Sequence, residues 1–419
     1  MRRSKQSGSV FVLTLTVLAG LVSVLALAAA SQRSAAIAQS HRMEIRRAKI
    51  AAEAGIQRAL AEFQNLTTTS PTTLSDDWAA LGQNGSEDFT LGSANFRMEI
   101  VDAASLININ TATQEQLELL PLTGEQVDCL LDWREEGVSP RSDGAKDEYY
   151  NQLEKPYNTK LGAFSSVDEL LLVKGFTADT LYNVQTDVVN TARPVRTTNG
   201  DSQQLPLEQL VTVDSTSQAV NSSGQAKLNV NTAQVNQIAQ RANLTIPVAT
   251  QIVNSRPGGG YTNIGAVLAV PGITIQNARD ILNNLTTGGQ NLTGKLNLNT
   301  VTQEVLDTVP NLPPDAASAI ITRQSTGFTD LGDLLDVPGM NNLALLQQTA
   351  GFFEVNSQSF LVRVLGVAGA TKVALQATLT ITNGQAKLVR IERPPYGDII
   401  GAWGWDTDPT STTALKENQ

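Results

Sequence analysis

A chain of 419 residues can bury sizeable cores and should hold two or more domains. Its formal net charge of −10 and isoelectric point near 4.8 disfavour a general nucleic-acid binder. One cysteine, Cys129, rules out an intramolecular disulfide and leaves the redox compartment open. One histidine, His41, removes most metal-site and histidine-based catalytic schemes, and no enzyme signature is present.

Residues 1–8 form a basic leader with Arg2, Arg3 and Lys5, ending at Gly8. Residues 9–31 carry no charge, and 10–30 are almost wholly apolar, long enough to cross a bilayer core as one helix. A cleavable secretory signal is the alternative, because Ala26, Leu27 and Ala28 make an acceptable small-residue cleavage site. The helical pattern continues past that point, however. Ile45, Ala48, Ala52, Ile56, Ala59 and Phe63 keep one apolar face at the three-to-four spacing of an amphipathic helix. One long element, half in lipid and half in a soluble domain, is expected. Arg42, Arg46, Arg47 and Lys49 lie beyond the span, so the charge bias across it does not settle orientation.

A polar connection over 67–86 precedes a stretch, 95–101, that alternates like a half-buried strand. A short box then occurs three times: Leu-Ile-Asn-Ile-Asn-Thr-Ala-Thr at 106–113, Lys-Leu-Asn-Val-Asn-Thr-Ala-Gln at 227–234 and Lys-Leu-Asn-Leu-Asn-Thr-Val-Thr at 295–302. Apolar residues alternate with asparagines, predicting a brief extended segment with one face buried. The Asn-Thr ending suggests a helix cap. Thr111 with Gln114 and Thr300 with Gln303 fit capping-box spacing, as does Asn231 with Gln234 in the middle copy.

The copies share further spacings. From the first box asparagine to a later arginine (108 to 134, 229 to 256, 297 to 323) the chain runs 26, 27 and 26 residues. From an aromatic at 164, 261 and 328 to a glycine at 175, 272 and 339 it runs 11 in every copy. The first copy carries 25 extra residues between Arg134 and Phe164. Helix, loop, helix, tight turn, helix is the pattern within each copy. The copies occupy 102–190 (with an acidic insertion at 135–163), 225–290 and 291–352, and a polar linker is expected over 191–224. Gly258, Gly259 and Gly260 form a loop without the Lys-Ser/Thr ending of a phosphate-binding loop. Within 353–392 the period becomes two, predicting strands over 359–367, 373–382 and 385–391, with Asn383 and Gly384 as the turn between the last two. An irregular tail follows from 393.

Helix, glycine turn, helix resembles the helix-hairpin-helix module that grips DNA backbones. That mechanism needs a Gly-x-Gly turn and nearby cations. The turns here, Lys-Gly-Phe-Thr at 174–177, Pro-Gly-Ile-Thr at 271–274 and Pro-Gly-Met-Asn at 338–341, lack the second glycine, and the surroundings are acidic. Packing units are the expected role, with no nucleic-acid partner. The recurring arginine is read as a structural pairing with a carboxylate or a helix end. In the insertion, Asp143, Asp147 and Glu148 beside Tyr149 and Tyr150 could supply hard oxygen ligands to Ca²⁺; a solvated acidic loop explains the same residues equally well.

The leader ending in glycine, the apolar span and the amphipathic continuation resemble a type IV pilin-like precursor. The resemblance implies cleavage by a prepilin peptidase after Gly8, leaving Ser9 as the new N-terminus. Most members carry glutamate at the fifth mature position, where this chain has Leu13. Asn-x-Asn-Thr-Ala at 108–112, Leu-Asp-Trp-Arg at 131–134, Gly-Ala-x-Asp-x-x-Tyr at 144–150 and Phe-Ser-Ser-Val-Asp-Glu-Leu-Leu at 164–171 resemble the minor pseudopilin called general secretion pathway protein K. That family typically lacks the fifth-position glutamate. It implies an α+β fold: a long transmembrane and amphipathic helix with an antiparallel pilin-like sheet, interrupted by a large helical region. It also implies a single pass through the inner membrane, with a periplasmic body at the tip of a type II secretion pseudopilus. Other minor pseudopilins and the inner-membrane secretion machinery would be partners, and calcium is sometimes bound. Leu13 suits a tip position. Within a fibre, a buried glutamate would neutralise a neighbouring subunit's N-terminal amine, and a subunit with nothing beyond it meets no such amine. A membrane-anchored DNA receptor and a secreted protein released by signal cleavage remain the alternatives at this level.

Overall fold

The computed structural model describes residues 7–65, 71–185, 205–382 and 384–405. Most of the leader (1–6), part of the first connection (66–70), the middle of the expected linker (186–204), Asn383 of the hairpin turn and the end of the tail (406–419) lie outside the described residues.

Helix α1 spans Ser7–Glu62. It is long and apolar enough to cross a membrane, and none of its most apolar stretch is buried within the protein. Three hydroxyls within the apolar stretch bond back to their own helix. Thr14 donates to the Phe11 carbonyl, Thr16 to Leu13 and Ser23 to Ala19, each at 2.8 Å, so these side chains present no unsatisfied donor to lipid. Further along, Ala48, Ala51, Ala52, Ile56, Ala59 and Phe63 are 0–1% exposed. Ile45, expected on that face, is 41% exposed, one turn before the first buried residue of the face, Ala48.

That face packs on a five-stranded antiparallel sheet: β1 Phe89–Leu91, β2 Ala94–Asp102, β3 Ser359–Ala368, β4 Thr371–Thr382 and β5 Gln385–Glu392, in that spatial order. The three C-terminal strands match the period-two stretches; β1, with only three residues, gave no periodic signal. Strand alternation sorts the two faces. Phe96, Met98, Ile100, Phe360, Val362 and Val364 share a core with α1. Gly366 permits the close approach, since a Cβ there would lie 1.9 Å from the Ala48 carbonyl oxygen. The opposite face presents Arg97, Glu99 and Arg363 to the tail. Trp405 donates its indole N–H to Glu99 at 3.0 Å, and the Arg97 guanidinium sits 5.3 Å from the Trp405 ring. The tail expected to be irregular therefore includes a short helix, Ile399–Ala402, and two buried tryptophans, Trp403 and Trp405.

β2 and β3 are hydrogen-bonded neighbours, with Asp102 opposite Phe360, yet the whole helical region lies between them in sequence. Chain leaves and re-enters the sheet at adjacent points, so the insertion does not interrupt the ladder. Gly366→Ala should lower stability by about 1–3 kcal/mol by pushing α1 off the sheet, read as a drop in melting temperature, whereas Gly289→Ala, in open space, should change little.

Candidate functional site

Each copy of the helical region is closed by its own box. Ile107–Asn108 pairs in parallel with Val211–Thr212, Leu228–Asn229 with Leu285–Thr286, and Leu296–Asn297 with Phe353–Glu354. The first box asparagine makes a local turn: Asn108, Asn229 and Asn297 accept from the backbone N–H two residues on, at 2.9, 2.9 and 3.1 Å. The second reaches across the unit. Asn110 accepts from the Phe164 N–H at 2.7 Å and donates to the Phe164 and Val213 carbonyls. Asn231 does the same with Tyr261 and Thr287, and Asn299 with Phe328 and Val355. The aromatic found by spacing is thus the residue whose backbone the box asparagine grips. The 25 extra residues of copy one lie wholly between Arg134 and that grip.

The helix caps fall two or three residues later than expected. Thr113 with Gln116 forms the capping box in copy one and Gln234 with Gln237 in copy two, while Thr302 accepts from Val305 N–H in copy three. Thr111, Asn231 and Thr300 are not caps; the preceding turn has to finish before the helix can start. The recurring arginine also needs correction. Arg134 donates to the Ile109 and Ala112 carbonyls and Arg256 to Ala233. In copy three Gln324 takes that role, donating to Leu298 and Val301 at 2.9 and 2.8 Å. Arg323 turns instead to Asp336 at 3.5 Å and to the Phe328 ring. In copies one and two box carbonyls dominate, whereas in copy three the arginine takes the expected carboxylate. The turn glycines Gly175, Gly272 and Gly339 have φ of 84°, 93° and 85°, a conformation that favours glycine.

From 205 onward the expected linker is structured. Leu207–Gln209 and Val211–Thr212 close copy one, and Thr216–Gln218 pairs with Asn291–Thr293. Three buried polar contacts then fasten the units together. Lys227 of the second box pairs with Glu354 beside the third box at 2.8 Å. Arg363 on β3 pairs with Glu208 of the closing segment at 3.0 Å; burial pushes the Glu208 carboxyl up, and Arg363 offsets part of that. Asp102, at the end of β2, accepts from Asn297 at 2.8 Å, Thr300 at 2.7 Å and the Ala104 N–H at 2.8 Å. Burial raises its carboxyl above the ordinary range, with hydrogen bonds opposing the shift. The third box therefore docks on the sheet through its Asn and Thr. Sequence reading missed Asp102 and Glu208 because an isolated acidic residue carries no pattern.

The acidic insertion is organised by its own cations. Arg141 bridges Asp132 at 3.1 Å and Glu135 at 2.6 Å, and Lys146 donates to the Glu135 carbonyl at 2.8 Å. Asp143, Asp147 and Glu148 are all exposed. One Asp147 oxygen accepts from Thr159 N–H at 2.7 Å, and the Asp143 N–H donates to Asp128. Among the described residues no group of three or more His, Cys, Asp and Glu side chains is gathered so that it could hold a metal ion. Gly8 and Ser9 lie in the first turns of α1, and Leu13 is 64% exposed on it.

A family model described as type II secretion system (T2SS), protein K, matches residues 106–189. Among solved structures, the GspK–GspI–GspJ complex from the type 2 secretion system of enterotoxigenic Escherichia coli contains a chain 14% identical, matched over 85% of this chain and 99% of that one, with a TM-score of 0.42. No curated protein matches. A long apolar helix on an antiparallel sheet, with a helical region let into the sheet between neighbouring strands, defines an α+β pilin-like protein. Within that frame, the first helical copy is the part of the chain that is similar to protein K of type II secretion systems.

Asn299→Ala leaves the Phe328 N–H and carbonyl without a partner and removes one of two donors to the Val355 carbonyl, at a residue only 1% exposed. It should cost about 3 kcal/mol, more than Asn231→Ala at the half-buried second box, as measured by denaturant unfolding. Chelator should move the melting temperature by less than about 1 °C, because Arg141 and Lys146 already supply the positive charge to the insertion.

Proposed function

We propose that this chain is the tip subunit of a periplasmic type II secretion pseudopilus, anchored by α1 in the inner membrane and acting as a structural component. The observation that carries this reading is the protein K match at 106–189, set in a pilin-like frame whose helix has Leu13 at the fifth position after Gly8. A subunit inside the fibre would need a carboxylate there for its neighbour's amine; a terminal subunit does not. The bulk of the body argues the same way. Well over three hundred residues follow the span, and a head of that size would clash if repeated along a thin fibre but can sit at its end. The partners proposed are counterparts of GspI and GspJ, the proteins named with GspK in the complex above, together with the prepilin peptidase that frees Ser9.

N-terminal sequencing of the membrane form should give Ser9, and a start at Ala29 would overturn the assignment. Purified pseudopili should contain the chain at a stoichiometry of one per fibre end.

A further inference from the structure

On the sheet face turned away from α1, directly opposed residues form a row across four strands. Glu99 on β2 faces Arg363 on β3, Arg363 faces Gln376 on β4, and Gln376 faces Glu392 on β5. Copy one and its closing segment bring two more carboxylates to this row, Asp168 and Glu208, and the tail crosses it at Pro394 and Ile399. Between them lies a cavity of about 20 Å³, room for one water molecule. Glu208 gives one oxygen to Arg363 at 3.0 Å, while its other oxygen, buried, meets no donor among the described residues. Asp168 accepts from the Tyr182 hydroxyl, and Glu392 lies 3.0 Å from Arg390.

Charge at this seam does not balance. Asp168, Glu208, Asp214, Glu99 and Glu392 face only the guanidiniums of Arg97, Arg363 and Arg390. The tail adds Arg393 and Asp398, both exposed to water, and Tyr396, whose ring stacks on Tyr182 at 4.4 Å. Burial raises the Asp168, Glu208 and Glu392 carboxyls above the ordinary range. Like charges push the same way, Glu99 and Asp168 acting on Glu208, and Asp168 and Asp214 on Glu392; Arg363, Arg390 and the Tyr182 hydroxyl offset only part. A metal ion would need carboxylates gathered around one point, and no such group exists among the described residues. A proton needs a single oxygen.

We propose that this seam is a proton-operated latch: protons taken up at Asp168, Glu208 and Glu392 hold the tail and copy one against the sheet, and their loss lets the tail lift. Opening returns the carboxyls to water, where they ionise near pH 4, so the closed seam binds more protons than the open one. Closure is therefore strongest towards acid and weakens as pH rises through the raised values of the closed seam; below about pH 4 both forms are protonated and the dependence ends. This is the reverse of the loosening by acid expected of ion-paired carboxylates. Lifting the tail would carry away Trp405, which donates to Glu99, and Trp403, which sits 5.9 Å from the Arg363 guanidinium. The latch thus decides whether the charged face of the sheet is covered.

The test follows amide hydrogen exchange of the full chain in detergent micelles from about pH 5 to about pH 8, corrected for the intrinsic rate. Tail residues 393–405 are compared with the remote helix Ile275–Asn284 of copy two. The opening constant of the tail should rise about tenfold per pH unit for each proton released, while the remote helix shows no such slope. Asp168→Asn with Glu392→Gln removes both charges and keeps an acceptor for Tyr182 and Arg390. The pair should abolish the slope and leave the tail protected at the alkaline end. Glu392→Gln alone, at the half-buried rim of the cavity, should weaken the slope with the remote helix unchanged, which keeps the test decisive if the double variant does not fold. Asp398→Asn, exposed on the tail, should leave the slope as it was. A tail indifferent to pH, or one that loosens towards acid, overturns the proposal. So does a slope shared by the remote helix, a slope that survives both neutralising substitutions, or protection restored at the alkaline end by added Ca²⁺ or Mg²⁺.

Discussion

Everything in the helical region depends on one side chain used three times, the second asparagine of the box. An amide can accept and donate at once, so Asn110, Asn231 and Asn299 each hold the backbone of a distant aromatic residue and a carbonyl of the closing strand. Short helices of four to eleven residues, such as Gln114–Glu118 and Gly124–Arg134, are marginal alone. They persist because this clamp fixes loop, box and return strand as one frame, with the apolar side chains between them forming a single core that runs through all three copies. Aspartate could not replace asparagine, since it lacks the donors, and a shorter side chain could not span the gap.

The copies are equivalent inside and different at their edges. Copy one has the acidic insertion, held by Arg141 and Lys146. Copy two offers Lys227 to Glu354. Copy three places Asn297 and Thr300 on Asp102 and so joins the pilin-like sheet. The sheet is covered on both faces, by α1 on one side and by the tail on the other, which explains why β3 is buried along nearly its whole length. A polar network at each seam sets orientation, because a carboxylate buried like Asp102 tolerates only an arrangement that supplies its donors.

This architecture separates two tasks. α1 and its sheet pack as one unit, while bulk is added at a point where the strands entering and leaving are already neighbours. The body can therefore enlarge by whole copies without disturbing the packing of α1.

Local patterns determined a good deal. The apolar span, the amphipathic continuation of α1, the period-two strands and the three spaced copies all reflect contacts whose geometry repeats every two to four residues or recurs at constant distance along the chain. Motifs in copy one were specific enough to point to protein K. Which residue caps a helix, that Gln324 and not Arg323 serves the third box, that residues 205–212 close copy one, and that Asp102 receives the third box were decided only in the tertiary structure. Those choices depend on groups brought together from as far apart as residues 102 and 297, and sequence spacing carries no trace of a contact until the chain between has folded. The box announced a repeated unit; only the fold showed that its asparagines hold the unit closed.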